Sequence, residues 1–116
     1  LKGYVADVAA CINDAAMFVL SSDYEGISNA MTEAMALGLP VICTDCPVGG
    51  AAMMIQDEVN GLLVPVRDSD AMTSALCRLA KDVQLQSLFS EEAKKVSENY
   101  SAARIANLWE GVLDVR

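Results

Sequence analysis

The chain has 116 residues, of which 53% are hydrophobic, and this composition suits one α/β-sized core and excludes a disordered chain. Its formal net charge of −8, from 8 basic and 16 acidic residues, argues against nucleic acid as a partner. No apolar run reaches the ~18 residues that cross a bilayer, and the start shows neither an initiator Met nor a signal-peptide pattern. We expect a soluble, cytoplasmic piece of a longer protein.

Short apolar runs alternate with helical patterns along the first half of the chain. Strands are predicted near Gly3 to Val5, Met17 to Leu20, Val41 to Cys43 and Leu62 to Val64. Helices are predicted near Asp7 to Asn13, Asn29 to Leu37 and Ala51 to Ile55. This alternation is typical of parallel strands with right-handed crossovers, and predicts an α/β fold with a partial Rossmann-like sheet of three to four strands flanked by helices.

The remainder of the chain is predicted to be helical. Asp68 can cap a helix whose apolar residues recur at helical spacing. Further helices are predicted over Leu85 to Phe89, Glu91 to Asn99 and Ala102 to Leu113. Trp109 and its apolar neighbours on the last helix indicate a docking face.

The first predicted strand raises a question of sheet order. In a Rossmann order of 3-2-1-4-5-6, Gly3 to Val5 would be strand 3 and Met17 to Leu20 would be strand 4. The strands between them would be missing, so either the first strand pairs elsewhere or the sheet keeps an exposed edge. We expect self-association, as oligomers or a swapped assembly, through that edge.

Glu25 and Glu33 lie eight residues apart, on either side of a predicted helix start that Ser28 or Asn29 can cap. The first N–H groups of a helix lack partners and attract anions, and Glu33 lies ~7 Å beyond them. A diphosphate bound there would place hydroxyl-bearing groups near both carboxylates, as in a nucleotide sugar. From the residues alone, a glutamate that is merely exposed on the helix is an equal alternative.

Three blocks of sequence carry a family resemblance: Phe18 to Ser28, Glu33 to Ile42 and Asn60 to Val64. Together they resemble the C-terminal domain of family 4 retaining glycosyltransferases. These enzymes have the GT-B architecture and are marked by two glutamates separated by seven residues. The resemblance implies that residues 1–116 are part of the C-terminal donor-binding domain, without its upstream strands or the N-terminal acceptor domain.

The resemblance also implies roles for individual residues. Glu25 would be the catalytic-site carboxylate that faces the transferred sugar, and Glu33 would bind the ribose hydroxyls. The backbone of Gly26, Ile27 and Ser28 would contact the sugar and the diphosphate. The donor would be a nucleotide-diphosphate sugar.

A Gly-Gly pair, Gly49 and Gly50, matches the one that follows the next strand in the family. A missing side chain there would let backbone approach the donor, while the alternative is a plain turn. Met53 departs from the family, which often has a glutamate three residues after the second glycine. The role of that acid is therefore open in this chain.

The expected reaction is transfer of a hexose to an acceptor hydroxyl with retention, in glycan or polysaccharide biosynthesis. The acceptor, a glycan or a lipid-linked sugar, would bind the missing domain, with the whole protein at the inner face of the membrane. No metal or other cofactor is expected, since the chain has no His and no clustered acid pair. The alternative is a non-catalytic nucleotide-sugar-binding or interaction module.

The charge distribution bears on this reaction. Residues 1–58 hold eight acidic residues against Lys2 alone, so a diphosphate would meet an acidic surface. In the family, the basic residues that bind phosphate come from earlier in the domain. The chain alone is therefore predicted to be inactive.

The four cysteines include a C-x-x-C pair, Cys43 and Cys46. A redox pair or half a zinc site is the functional alternative, but no helix start or further ligand set accompanies them. We predict that Cys43 ends a buried strand, that Cys11 and Cys77 pack on helix faces, and that all stay reduced in a cytosol.

Overall fold

The computed structural model describes residues 3–113. Over these residues the chain forms three strands and six helices. The strands are β1 (Phe18–Leu20), β2 (Val41–Asp45) and β3 (Leu62–Pro65). The helices are α1 (Val8–Ile12), α2 (Asn29–Ala36), α3 (Gly50–Met54), α4 (Ser69–Lys81), α5 (Val83–Asn99) and α6 (Ala102–Leu113).

The three strands form one parallel sheet in the order β1-β2-β3. Val19 pairs with Ile42, and Cys43 pairs with Leu63, so β2 is central. Its first four residues are buried, as expected of a parallel strand covered on both faces. The predicted α/β fold with a parallel sheet and a helical C-terminal region is confirmed.

The strand predicted at Gly3 to Val5 is wrong. Gly3 has a φ of +68°, in the left-handed region, which is incompatible with an extended strand. Tyr4 is 95% exposed, so the segment buries little apolar surface. Without that strand the proposed strand numbering has no basis, and within the described residues β1 forms an edge of the sheet.

Five helices begin at a side chain that accepts a hydrogen bond from the N–H three residues later. These caps are Asp7, Ser28, Asp68, Asp82 and Ser101. Ser28 and Asp68 were among the predicted caps, so short-range polar signals locate these starts correctly. They place the starts of α2 and α4 after strands β1 and β3, at the carboxyl edge of the sheet.

Helix α5 is one continuous helix, where the sequence predicts two. Its buried residues, Phe89 and Ala93, are four positions apart and therefore share one face. Ser90 between them does not interrupt that face. Packing on one side of the helix thus continues it through the predicted break.

Apolar clusters cover both faces of the sheet. One contains Met31, Ala34 and Met35 of α2, and the other contains Leu79 and Phe89 of α4 and α5. The three α2 residues are fully buried, which fixes α2 against the sheet and turns its opposite face to solvent.

Helix α6 has no buried residue, and Trp109 is 61% exposed. The predicted apolar face is present on this helix, together with Leu108, Val112 and Leu113. None of the helices over residues 3–113 is long and apolar enough to cross a membrane.

Candidate functional site

Three loops follow the carboxyl ends of the three strands: residues 21–28, 46–49 and 66–68. The carboxyl edge of an open parallel sheet is where such folds bind ligands. The site residues predicted from the sequence lie in the first two loops, at the start of α3 or, for Glu33, one turn into α2. Residues 21–28, 46–49 and 66–68 are called the first, second and third loops below.

The first loop ends at the start of α2. The hydroxyl oxygen of Ser28 accepts a hydrogen bond of 3.3 Å from the N–H of Met31, and Ser28 itself is buried. Gly26 and Ile27, just before the cap, are exposed. At the helix start itself Asn29 is exposed, while the N–H of Met31 is buried and already bonded to Ser28, so an anion would meet this start from the side of Gly26, Ile27 and Asn29.

Two backbone hydrogen bonds join the first loop to the second. The N–H of Glu25 donates to the carbonyl oxygen of Pro47 at 2.7 Å, and the N–H of Val48 donates to the carbonyl oxygen of Glu25 at 3.0 Å. Both backbone polar groups of Glu25 are thus used to hold the loops together. The position of its carboxylate depends on this pairing.

Gly50 allows the closest approach between these loops. A Cβ atom at Gly50 would lie 2.0 Å from the carbonyl oxygen of Gly26 and 2.6 Å from the nitrogen of Ile27. The space left by the missing side chain is therefore filled by the Gly26–Ile27 peptide. The predicted contact between Gly50 and a donor remains a prediction, and the structure adds a packing role that the sequence did not show.

Gly49 is required for a different reason. Its φ is +92°, and a Cβ built on it would meet no heavy atom within 4 Å. It precedes α3 as the N-cap residue. The backbone turn demands glycine here, which matches the turn alternative for this position.

The two glutamates occupy different environments. Glu25 is half-buried, and one of its carboxylate oxygens accepts a 3.4 Å hydrogen bond from the hydroxyl of Ser22. Glu33 is exposed on the side of α2 that faces away from the core, and it lines a cleft of about 350 Å³ with Met54 and Tyr100. The pair thus flanks the helix start, one on the loop and one on the helix.

The third loop supplies a residue that sequence reasoning missed. The Nε of Arg67 lies 2.9 Å from a carboxylate oxygen of Asp23 in the first loop. Arg67 is the sole Lys or Arg in the three loops. The pairing spans 44 positions of sequence, so no local signal could have found it.

The C-x-x-C cysteines are both buried and carry free thiols. Burial raises the pKa of Cys43 to about 12, and the neighbouring Cys46 adds to the rise while a backbone hydrogen bond from the Leu20 region opposes it. A thiol with such a pKa stays protonated at neutral pH, so it is a poor nucleophile and metal ligand. Cys43 lies in the buried central strand, but in its middle rather than at its predicted end, because β2 continues through Thr44 to Asp45.

The packing predicted for Cys77 is wrong, because Cys77 is exposed. The buried face of α4 contains Ala75 and Leu79, and Cys77 lies midway between them on the outer side of the helix. Cys11 is half-buried on α1.

Solved structures that superpose on this chain include glycosyltransferases. A variant of TarM from Staphylococcus aureus, in complex with Fondaparinux, alpha-GlcNAc-glycerol and UDP, superposes with a TM-score of 0.86 and 30% identity over 98% of this chain and 23% of its own. Anabaena HepE, in complex with UDP, superposes with a TM-score of 0.85 and 22% identity over 97% of this chain and 31% of its own. The chain therefore has the fold of a GT-B glycosyltransferase domain.

The sequence relationship is more specific. The family described as "Glycosyl transferases group 1" matches residues 1–82, and the chain belongs to this family. The poly(ribitol-phosphate) alpha-N-acetylglucosaminyltransferase of S. aureus is 31% identical over 110 residues, 94% of this chain and 22% of that protein. An uncharacterized glycosyltransferase of Haemophilus influenzae is 28% identical over 107 residues, 92% of this chain and 30% of that protein. The chain thus spans less than a third of the length of either relative.

Proposed function

We propose that the protein containing this chain transfers a hexose from a nucleotide-diphosphate sugar to an acceptor hydroxyl with retention of configuration, as a family 4 glycosyltransferase. Its relatives include the enzyme that modifies poly(ribitol-phosphate) and a poly(glycerol-phosphate) alpha-glucosyltransferase of Bacillus subtilis. The proposal therefore places the protein in glycan or polysaccharide biosynthesis.

One observation supports the assignment of the site: α2 begins between the two glutamates, just after an exposed loop segment, Gly26 and Ile27, that backbone hydrogen bonds attach to the neighbouring loop. The Gly26–Ser28 backbone and the helix start would accept the diphosphate. Glu33, one turn into the helix and on its solvent side, would accept hydrogen bonds from the ribose hydroxyls. Glu25 would face the transferred sugar, with Gly49 and Gly50 behind the loop.

Residues 1–116 would form part of the C-terminal donor-binding domain. Arg67, the one basic residue of the three loops, is already paired with Asp23, so the charge that neutralises the leaving diphosphate would come from outside this chain. The chain alone would then bind the donor without catalysing transfer. No metal is needed in this proposal.

The acceptor would be a glycan or a lipid-linked sugar bound by another domain. Relatives that act on diphospho-undecaprenol-linked sugars in Campylobacter jejuni and Escherichia coli support a lipid-linked acceptor. Such a substrate suits a cytoplasmic protein at the inner face of the membrane.

Nucleotide binding to the 116-residue chain tests the donor assignment. Saturation-transfer NMR with UDP, GDP, ADP and their hexose conjugates should show contact with at least one nucleotide. Glu33→Ala should weaken it about tenfold or more, because a hydrogen bond to a charged group is worth ~1.5–3 kcal/mol.

Glu91→Ala is the matched control, since it removes an exposed helical glutamate far along the chain on α5. It should leave the affinity unchanged. If no nucleotide binds, or if Glu33→Ala binds as well as the parent chain, the assignment fails.

A further inference from the structure

Arg67 adopts a backbone conformation that ordinary residues avoid. Its φ is +59°, in the left-handed region where a residue with a Cβ pays a conformational cost that glycine escapes. It lies between the end of β3 and the cap of α4. Backbone outliers of this kind cluster at functional sites, which makes the side chain the feature to explain.

The Arg67 side chain reaches the first loop. Its ion pair with Asp23, at 2.9 Å, joins two side chains that are 80% and 55% exposed. Exposed pairs of this kind add little to the stability of a fold. The ion pair therefore adds too little stability to explain an arginine at a position whose backbone conformation glycine adopts at a lower free-energy cost.

The pair does complete the attachment of the first loop. Asp23 is two residues before Glu25, whose backbone is bound by the second loop. The hydroxyl of Thr44, on β2, donates to the carbonyl oxygen of Ser22. Arg67 thus holds the loop from the third strand's side, while the other contacts hold it from the second strand's side.

The same residues line a cleft of about 280 Å³ at the carboxyl edge of the sheet. Ser21, Asp23 and Thr44 contribute from the first two strands and their loops, and Arg67 contributes from the third. If the pair opened, the segment before Glu25 would lose its only ionic contact among the described residues.

We propose that Arg67 is a positioning residue for the donor site. Through Asp23 it fixes the first loop, and with it the carboxylate of Glu25 and the Gly26 peptide, in the arrangement that the nucleotide sugar meets. This role rests on the proposed function, because the first loop is the segment assigned to the donor.

Arg67→Gly tests the role without straining the backbone, since glycine adopts a positive φ readily. We expect an unchanged or higher melting temperature. Hydrogen exchange at the Glu25 and Val48 amides, which form the bonds between the loops, should accelerate about fivefold at most, the ceiling for an exposed ion pair. UDP should bind more weakly by at most that factor, because only the ordered fraction of the loop binds it and the loss of affinity follows the fall in that fraction.

Two further variants separate positioning from a general charge effect. Arg67→Lys keeps a cation within reach of Asp23 and should restore part of the exchange protection. Arg104→Ala removes an exposed cation from α6 and should change neither readout.

Unchanged exchange at Glu25 and Val48 in Arg67→Gly refutes the positioning role, whatever happens to UDP. If UDP binding weakens while exchange stays unchanged, Arg67 contacts the ligand directly instead of positioning the loop. Faster exchange in a chain whose parent form binds no UDP would uphold the loop contact and reject the donor assignment instead.

Discussion

The contact between Gly50 and the first loop makes Gly50→Ala the most informative single change in this chain. The added Cβ would lie 2.0 Å from the carbonyl oxygen of Gly26, whereas ordinary van der Waals contact begins at 3.4 Å. The difference means that the Gly26–Ile27 peptide or the start of α3 must move by about 1.4 Å. The three nearest atoms all belong to the backbone, so no flexible side chain can absorb the shift.

The displacement has two costs. Forcing a methyl group into a packed site typically costs ~1–3 kcal/mol. Weakening the two bonds between Glu25 and the second loop would add ~0.5–1.5 kcal/mol for each bond lost. If both bonds are lost, we expect a net destabilisation of about 2–6 kcal/mol, which lowers the melting temperature by about 10 °C or more in a domain of this size.

Gly49→Ala is the matched control because it adds the same methyl group at the adjacent position. A Cβ there meets no atom within 4 Å, so the cost is limited to the positive φ, ~1–2 kcal/mol. Thermal unfolding of both variants, with UDP titrations below their melting temperatures, separates the two effects. Gly50→Ala should lose about tenfold or more in UDP affinity, since the first loop is displaced.

Equal stability of Gly50→Ala and the parent chain, with unshifted Glu25 and Val48 amide resonances, would refute this account of the loop contact. A Gly49→Ala variant that loses more affinity than Gly50→Ala would show that the turn, rather than the close approach, controls the site.

Two further predictions follow from ionisation and exposure. At pH 8, iodoacetamide should alkylate the exposed Cys77 well before Cys43, because burial raises the pKa of the Cys43 thiol. Mass spectrometry of the folded chain would give the order of labelling, and early labelling of Cys43 would contradict its burial. The hydrogen bond from Arg78 lowers the pKa of Glu58. This exposed pair therefore stabilises the fold at pH values above the ordinary glutamate pKa, and the stabilisation is lost as the pH falls through the lowered pKa. Unfolding curves should therefore show a small extra loss of stability below about pH 4.5 that Arg78→Ala removes.

The elements that the sequence predicts well are those with short-range signals. Helix α2 shows this clearly: Ser28 caps its start, Met31 and Met35 mark its buried face, and Gly38, with a φ of +76°, follows its end. Each signal acts within one or two turns of the backbone, so the sequence contains all that is needed to read it.

The errors arise where distant residues decide the structure. The aromatic and apolar residues near Gly3 resemble a strand, but a strand needs a partner, and the segment pairs with nothing in the described sheet. The contact between Gly50 and Gly26 spans 24 positions, and the pair formed by Arg67 and Asp23 spans 44. Residue types and spacing could nominate the glutamates and glycines, but not the contacts that hold the site together.

The charges of the three loops bear on the part that Glu33 would play in the proposed site. A nucleoside diphosphate would approach two acidic residues of the first loop, Asp23 and Glu25, while the single arginine is occupied by one of them. Attraction between this chain and the phosphates would then rest on the helix start alone, which carries only about half a unit charge. Hydrogen bonds from hydroxyl groups to the carboxylates would therefore supply a larger share of the affinity than in a site rich in basic residues. Under that balance, loss of the Glu33 carboxylate would remove one of the two carboxylates that this chain would offer to the hydroxyl groups of a donor.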